Sequence, residues 1–145
     1  MLAVHTQLET DFQYDFLLFG ISSSAKEYKL AWALNRGCIC HFKKVSDITL
    51  SQKQHEKEEV PFAQFYYQRG SQIWRLIENR TYSPQFSGQR LIPELPNWNY
   101  LLWLRDPGEH VSLDTLKQNL KTIPDNKSYS QISVDLLPNK DNLLF

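Results

Sequence analysis

Few residues in this chain have the type and spacing for chemistry. Cys38-Ile39-Cys40-His41 brings two thiols and an imidazole close together. Thiolate and imidazole ligands suit zinc, yet structural zinc sites need four ligands and a C-x₂₋₄-C spacing. Cys-x-Cys lacks that spacing, and no further cysteine exists to complete a site. A disulfide between such near neighbours would be strained. Free, packed thiols and no metal are therefore expected, because cysteine is among the most buried residue types.

The other histidines, His5, His55 and His110, fall in segments that read as tail, charged loop and turn. None stands in a nucleophile–base pattern with a serine or cysteine, although triads are assembled in space rather than in sequence. The acids Glu58 and Glu59 belong to the charged stretch 51–59, where water is the expected partner. No residue is assigned as catalytic, and no cofactor is expected.

Two segments carry more information. In "GISSSAK" (20–26), Ser22, Ser23 and Ser24 lie between a strand pattern and a helix pattern. Free amides at such a junction can hold an anion. The segment lacks the Lys-Ser/Thr ending of a phosphate-binding P-loop, so a serine-capped turn is the simpler expectation. In "LIPELPNWNYLLWL" (91–104), Pro93 and Pro96 push Ile92 and Leu95 toward extended geometry and cannot donate to a sheet. Glu94 is thus held on a stiff stem just before an apolar strand. It can fix the local backbone, or present a carboxylate as a base or ligand anchor.

The elements that must position these residues follow from hydrophobic periodicity. "FQYDFLLFGIS" and "WNYLLWLR" are apolar on both faces, as expected of strands covered on both sides. "SSSAKEYKLAWALNRG" reads as a helix with Ser24 and Glu27 as a capping box and Gly37 as its stop. Its apolar face is expected to comprise Tyr28, Ala31 and Trp32, widened by Leu30 and Leu34. "CICHFKKVSDITL" reads as a strand with a break near Ser46-Asp47. Residues 60–79 read as one hairpin turning at Gly70. A polar loop follows at 80–89. "SLDTLKQNLKTI" is an amphipathic helix with Ser112 as cap and Leu113, Leu116 and Leu120 as its buried stripe. "YSQISVDLL" reads as a last strand, and "PNKDNLLF" as a tail with an apolar end.

The order is β-α-β, hairpin, β-α-β. It implies an α+β class with a single, largely antiparallel sheet of five or six strands and both helices on one face. A ferredoxin-like core with 60–79 inserted as an extra hairpin is the first topology this order suggests. At 145 residues one domain, 1–145, is expected, large enough to bury a core without staples.

Lys plus Arg (16) balance Asp plus Glu (16), which argues against nucleic acid as the main partner. The aromatics Phe62, Phe65, Tyr66, Tyr67 and Trp74 interleave with Gln64, Gln68, Arg69 and Arg75. They lack the glycines of the RNA-recognition signature, and core packing plus a partner-binding face is the better expectation. The first residues carry no basic, apolar leader pattern, and no stretch reaches the about 18 apolar residues of a membrane span. The chain reads as cytoplasmic, with no membrane contact.

"IPELPNWNY", Ile92 to Tyr100, resembles the motif of the IPExxxVDY family of uncharacterised bacterial proteins, typical of Bacteroidetes. Ile92, Pro93, Glu94 and Tyr100 match; Trp98 stands at the Val position and Asn99 at the Asp position. The segment 19–35 and the chain end "NLLF" also look like that family. The resemblance implies a small, single-domain cytoplasmic protein and carries no activity with it. An amide at Asn99 cannot act as a base, which favours a structural role for the motif.

Three functions are compatible with these residues. The first is a non-enzymatic interaction or regulatory module that binds a protein partner or itself, through a sheet edge or the aromatic hairpin. The second is a small-molecule sensor, its ligand held between Ser22–Ser24 and loop 80–94. The third is an enzyme using Glu94 with His41 or His110, which requires those side chains to converge in a cleft.

Overall fold

The computed structural model describes residues 14–38, 40–51, 58–105, 113–123 and 125–145. His5, His55, His110 and Ser112 lie outside the described residues, as do the side chain of Cys38 and most of the charged stretch 51–59. The chain forms β1 (Leu17–Ser23), α1 (Glu27–Cys38), β2 (Lys43–Lys44), β3 (Ile48–Ser51), β4 (Glu59–Phe62) and β5 (Gln64–Arg69). It continues with β6 (Gln72–Glu78), β7 (Tyr100–Arg105), α2 (Leu113–Thr122) and β8 (Asn126–Ile132). Short 3-10 turns lie at Pro84–Phe86, Val134–Leu136 and Lys140–Leu143.

Six strands form one antiparallel sheet in the order β2-β5-β6-β7-β1-β8, and β3 pairs with β4 in a separate small sheet. The α+β class and the largely antiparallel sheet therefore stand. β7 and β8, which flank α2, lie on either side of β1, whereas β2, the strand after α1, lies at the opposite edge beside β5.

Alternation along β1 and β7 explains why both read as apolar on both faces. Phe19, Ile21, Tyr100, Leu102 and Leu104 point to the helix side, where Leu30 and Leu34 of α1 and Leu116 and Leu120 of α2 cover them. Leu18, Leu101 and Trp103 point the other way. There they meet Ile48, Val60 and Phe62 of the small sheet, Leu91 and Ile92 of the proline stem, and Val134, Leu137 and Leu143 near the chain end. The main sheet is thus the middle of three layers. Each Leu, Ile or Phe fully buried in this way contributes about 1.5–3 kcal/mol relative to exposure.

Several boundaries differ from expectation. The 60–79 segment is not one inserted hairpin: at Ala63 the chain leaves the small sheet and enters the main one, so β5 and β6 are integral strands. Gly70, at φ +60°, does open the two-residue β5–β6 turn. The strand expected over 38–50 is broken, as expected, into β2 and β3. The last strand begins and ends earlier than expected, and a 3-10 turn follows it.

The helix α1 departs most from its sequence reading. It starts at Glu27, with the amides of Lys29 and Leu30 donating to the Lys26 carbonyl, so Ser24 is not its cap. Gly37 is inside the helix rather than its stop. A Cβ there would meet the end of the Asn119 side chain, so glycine leaves the space that this side chain of α2 occupies. Leu30, Ala31 and Leu34 are buried, while Tyr28 and Trp32 are exposed on the other arc. In α2, Leu116 and Leu120 are buried, whereas Leu113 is 36% exposed.

Candidate functional site

The proline-stem motif is used almost wholly for internal bonding. Ile92 is fully buried and Pro93 exposed. Glu94 accepts the backbone amide of Asn139 at 2.7 Å and the Asn139 side-chain amide at 3.1 Å, tying the stem to the turn before the last 3-10 segment. Asn99 accepts the Ser23 amide at 3.0 Å and donates to the Ser23 carbonyl at 2.6 Å, continuing the β1–β7 pairing with a side chain. The Tyr100 hydroxyl donates to the Ala25 carbonyl at 2.6 Å. Burial first, then the negative charges of Glu78 and Glu27, push this hydroxyl well above its ordinary range, so it stays a donor.

Asn79, which no sequence pattern singles out, organises this motif. It is fully buried at the end of β6. Its side chain accepts the Ile92 amide at 2.9 Å and donates to the carbonyls of Leu95 and Trp98, each at 3.0 Å. One side-chain amide thereby ties together three points of the proline-containing segment, residues 92, 95 and 98. Its only sequence signal was a polar residue ending an apolar strand. Trp98 in turn lies over Gly20, where a Cβ would come within 2.6 Å of the indole.

The serine segment is equally committed. The amides of Ser23, Ser24 and Ala25 donate to Asn99 Oδ1, the Asp125 carbonyl and Ser23 Oγ respectively. Ser22 pairs with Ser128 in the sheet. These three amides are already satisfied by the protein, so no cradle for an anion is formed from them. Loop 80–94 carries Leu91 and Ile92 into the layer opposite the helices.

Glu94 and His41 do not converge. His41 lies against the edge of Tyr67, with ring centroids 6.2 Å apart, and Tyr67 packs on the helix-side core. Glu94 belongs to the other layer. Cys40 is buried, its thiol directed at the Leu34 carbonyl 3.5 Å away. Of the hairpin aromatics, Phe62, Phe65 and Trp74 are buried, so they form core rather than a stacking platform.

What the fold does leave open is a groove between the two helices, with a volume of about 920 Å³. One wall is α1, with Tyr28, Lys29, Trp32 and Arg36. The other is the end of α2 and the turn after it, with Asn119, Ile123 and Asp125. Tyr28, Trp32 and Arg36 follow one another at i, i+4 and i+8, one stripe about 12 Å long at 1.5 Å per residue. Tyr28 is 53% exposed and Trp32 61%. The Arg36 guanidinium lies 4.8 Å from the Trp32 ring centroid, a cation–π contact. Asp125 takes a positive φ of 63°, and its carbonyl accepts Ser24 N and Ser23 Oγ, each at 3.1 Å. The far wall is thereby anchored to β1. The i+4 spacing of two aromatics and an arginine was the available signal for this site.

Glu78 lies half-buried at the end of β6, paired across the sheet with Tyr100. Burial first, and the charge of Glu27 second, raise its carboxyl above the usual carboxylate range. Among the described residues, no three His, Cys, Asp or Glu side chains gather as metal ligands. No described helix is long and apolar enough to cross a membrane.

The geometry defines an α+β domain with an open interhelical groove. Searches against family models, curated proteins and solved structures found no match to this chain.

Proposed function

We propose that this chain is a non-enzymatic interaction module that receives a protein partner in the α1–α2 groove. One observation carries the reading: two aromatic rings more than half exposed share a concave, largely apolar groove with Lys29 and Arg36. Exposed apolar surface of this kind is retained for binding, and Trp, Tyr and Arg dominate interface hot spots. Membership of the IPExxxVDY family belongs to the same proposal, resting on Ile92, Pro93, Glu94 and Tyr100. A cytoplasmic location belongs to it too.

The test compares the wild type with Trp32→Ala in pull-downs. A partner retained by the wild type and lost from the variant supports the reading. A wild type that retains nothing, or a variant that retains the same partner, counts against it.

Self-association has a separate basis. β8 is a seven-residue edge strand, whereas the other edge strand, β2, is two residues long and all lysine. Lysines blunt an edge against pairing, and β8 is less protected. Light scattering on the eluting peak distinguishes dimer from monomer. A small-molecule occupant is the remaining alternative, since about 920 Å³ falls within the range of ligand pockets.

A further inference from the structure

We infer that the occupant of the groove is an acidic peptide segment of a partner protein, with an aromatic or aliphatic side chain set on Tyr28 and Trp32. This rests on the interaction reading above and adds the chemistry of the partner. The groove's charged lining is two cations, Lys29 and Arg36, against one acid, Asp125. Among the described residues neither cation forms an ion pair. Arg36 is held by stacking on Trp32, which presets the guanidinium while leaving its donors for a carboxylate.

Lys29 and Arg36 are seven residues apart on one helix, so they sit about 10 Å apart along the axis. Acids seven apart on a partner helix, or about three apart in an extended segment, match that separation. The apolar anchor falls between them, where Trp32 is most exposed. Desolvating the rings supplies affinity, and the two cations set orientation and select against basic sequences.

Random peptides displayed on phage and selected on the immobilised full chain test this directly. Enriched peptides are then titrated by fluorescence anisotropy against the wild type, Trp32→Ala and Arg36→Glu. The expected result is enrichment of acids flanking an aromatic or aliphatic residue, with affinity falling about tenfold or more in both variants. Replacing the matching acid by lysine in the peptide then restores binding to Arg36→Glu, a gain that misfolding of the variant would not produce. Peptides that need Trp32 but ignore Arg36 overturn the acidic partner and leave the groove reading intact. Binding indifferent to Trp32 removes both. If no peptide is enriched while the aromatic anion anilinonaphthalene sulfonate binds in a Trp32-dependent way, the occupant is a small molecule and the inference fails.

Discussion

Glu94 reaches Asn139, 45 residues further along the chain, and accepts both its backbone amide at 2.7 Å and its side-chain amide at 3.1 Å. The carboxylate that most resembled a functional group is therefore a strut between the proline stem and the segment that carries Leu143 into the core. Glu94→Ala removes a charge-assisted bond at a solvent-accessible site. It is expected to cost about 1 kcal/mol in urea unfolding and to leave groove binding unchanged. Loss of groove binding in a variant of unaltered stability would mean that Glu94 acts elsewhere.

Asn79 bears a larger share of the same region. In Asn79→Ala the Ile92 amide loses its partner inside a buried site, and the part-buried carbonyls of Leu95 and Trp98 each lose a donor, the Leu95 carbonyl keeping the Trp98 amide. A destabilisation of about 3 kcal/mol is expected, above the cost of one exposed bond. Amide hydrogen exchange at Ile92 should rise together with the drop in the urea midpoint. A midpoint within a few tenths of a molar of wild type would contradict the role given to this residue.

Gly20 is required by the indole of Trp98 rather than by backbone conformation. Gly20→Ala places a methyl 2.6 Å from two atoms of that ring and 2.9 Å from Ile132. Overpacking of this kind costs about 1–3 kcal/mol. The indole must move outward, which intrinsic fluorescence should register as a red shift. An unshifted spectrum at wild-type stability would show that the contact yields freely.

Glu78 gives the pH dependence. Its carboxyl is raised above an ordinary value of 4.5, by burial and then by Glu27. The folded state therefore holds the proton more tightly than the unfolded state. The associated stability is fully present below about pH 4.5 and is lost as pH rises through the raised folded-state value. Glu78→Gln should unfold at a higher temperature than wild type at pH 7, and the gap should close toward pH 4. A gap that persists unchanged in acid would point to packing and not to charge.

The amino-acid sequence alone determined much of the architecture. Apolar residues on both faces of 16–21 and 98–104 announced strands covered on both sides, and β1 and β7 are such strands. The two helices and the break near Ser46-Asp47 were equally legible, because strand and helix periodicity and turn residues act over a few neighbouring positions. The motif's structural character was partly visible too, since Pro93 and Pro96 restrict their own backbone wherever they occur.

Tertiary structure decided the rest. α1 is apolar on more than one arc, and local spacing gives no reason to prefer Leu30 and Leu34 over Tyr28 and Trp32. The sheet takes the leucines, the Asn119 side chain of α2 comes in against Gly37, and the aromatic stripe is left at the groove. The transfer of chain at Ala63 from one sheet to another depends on which strands compete for β4 and β5. The partners of Asn79 and Glu94 lie 13 to 45 residues away in sequence. Burial and hydrogen bonding are settled by the surfaces that meet, and those meetings are created only when the whole chain folds.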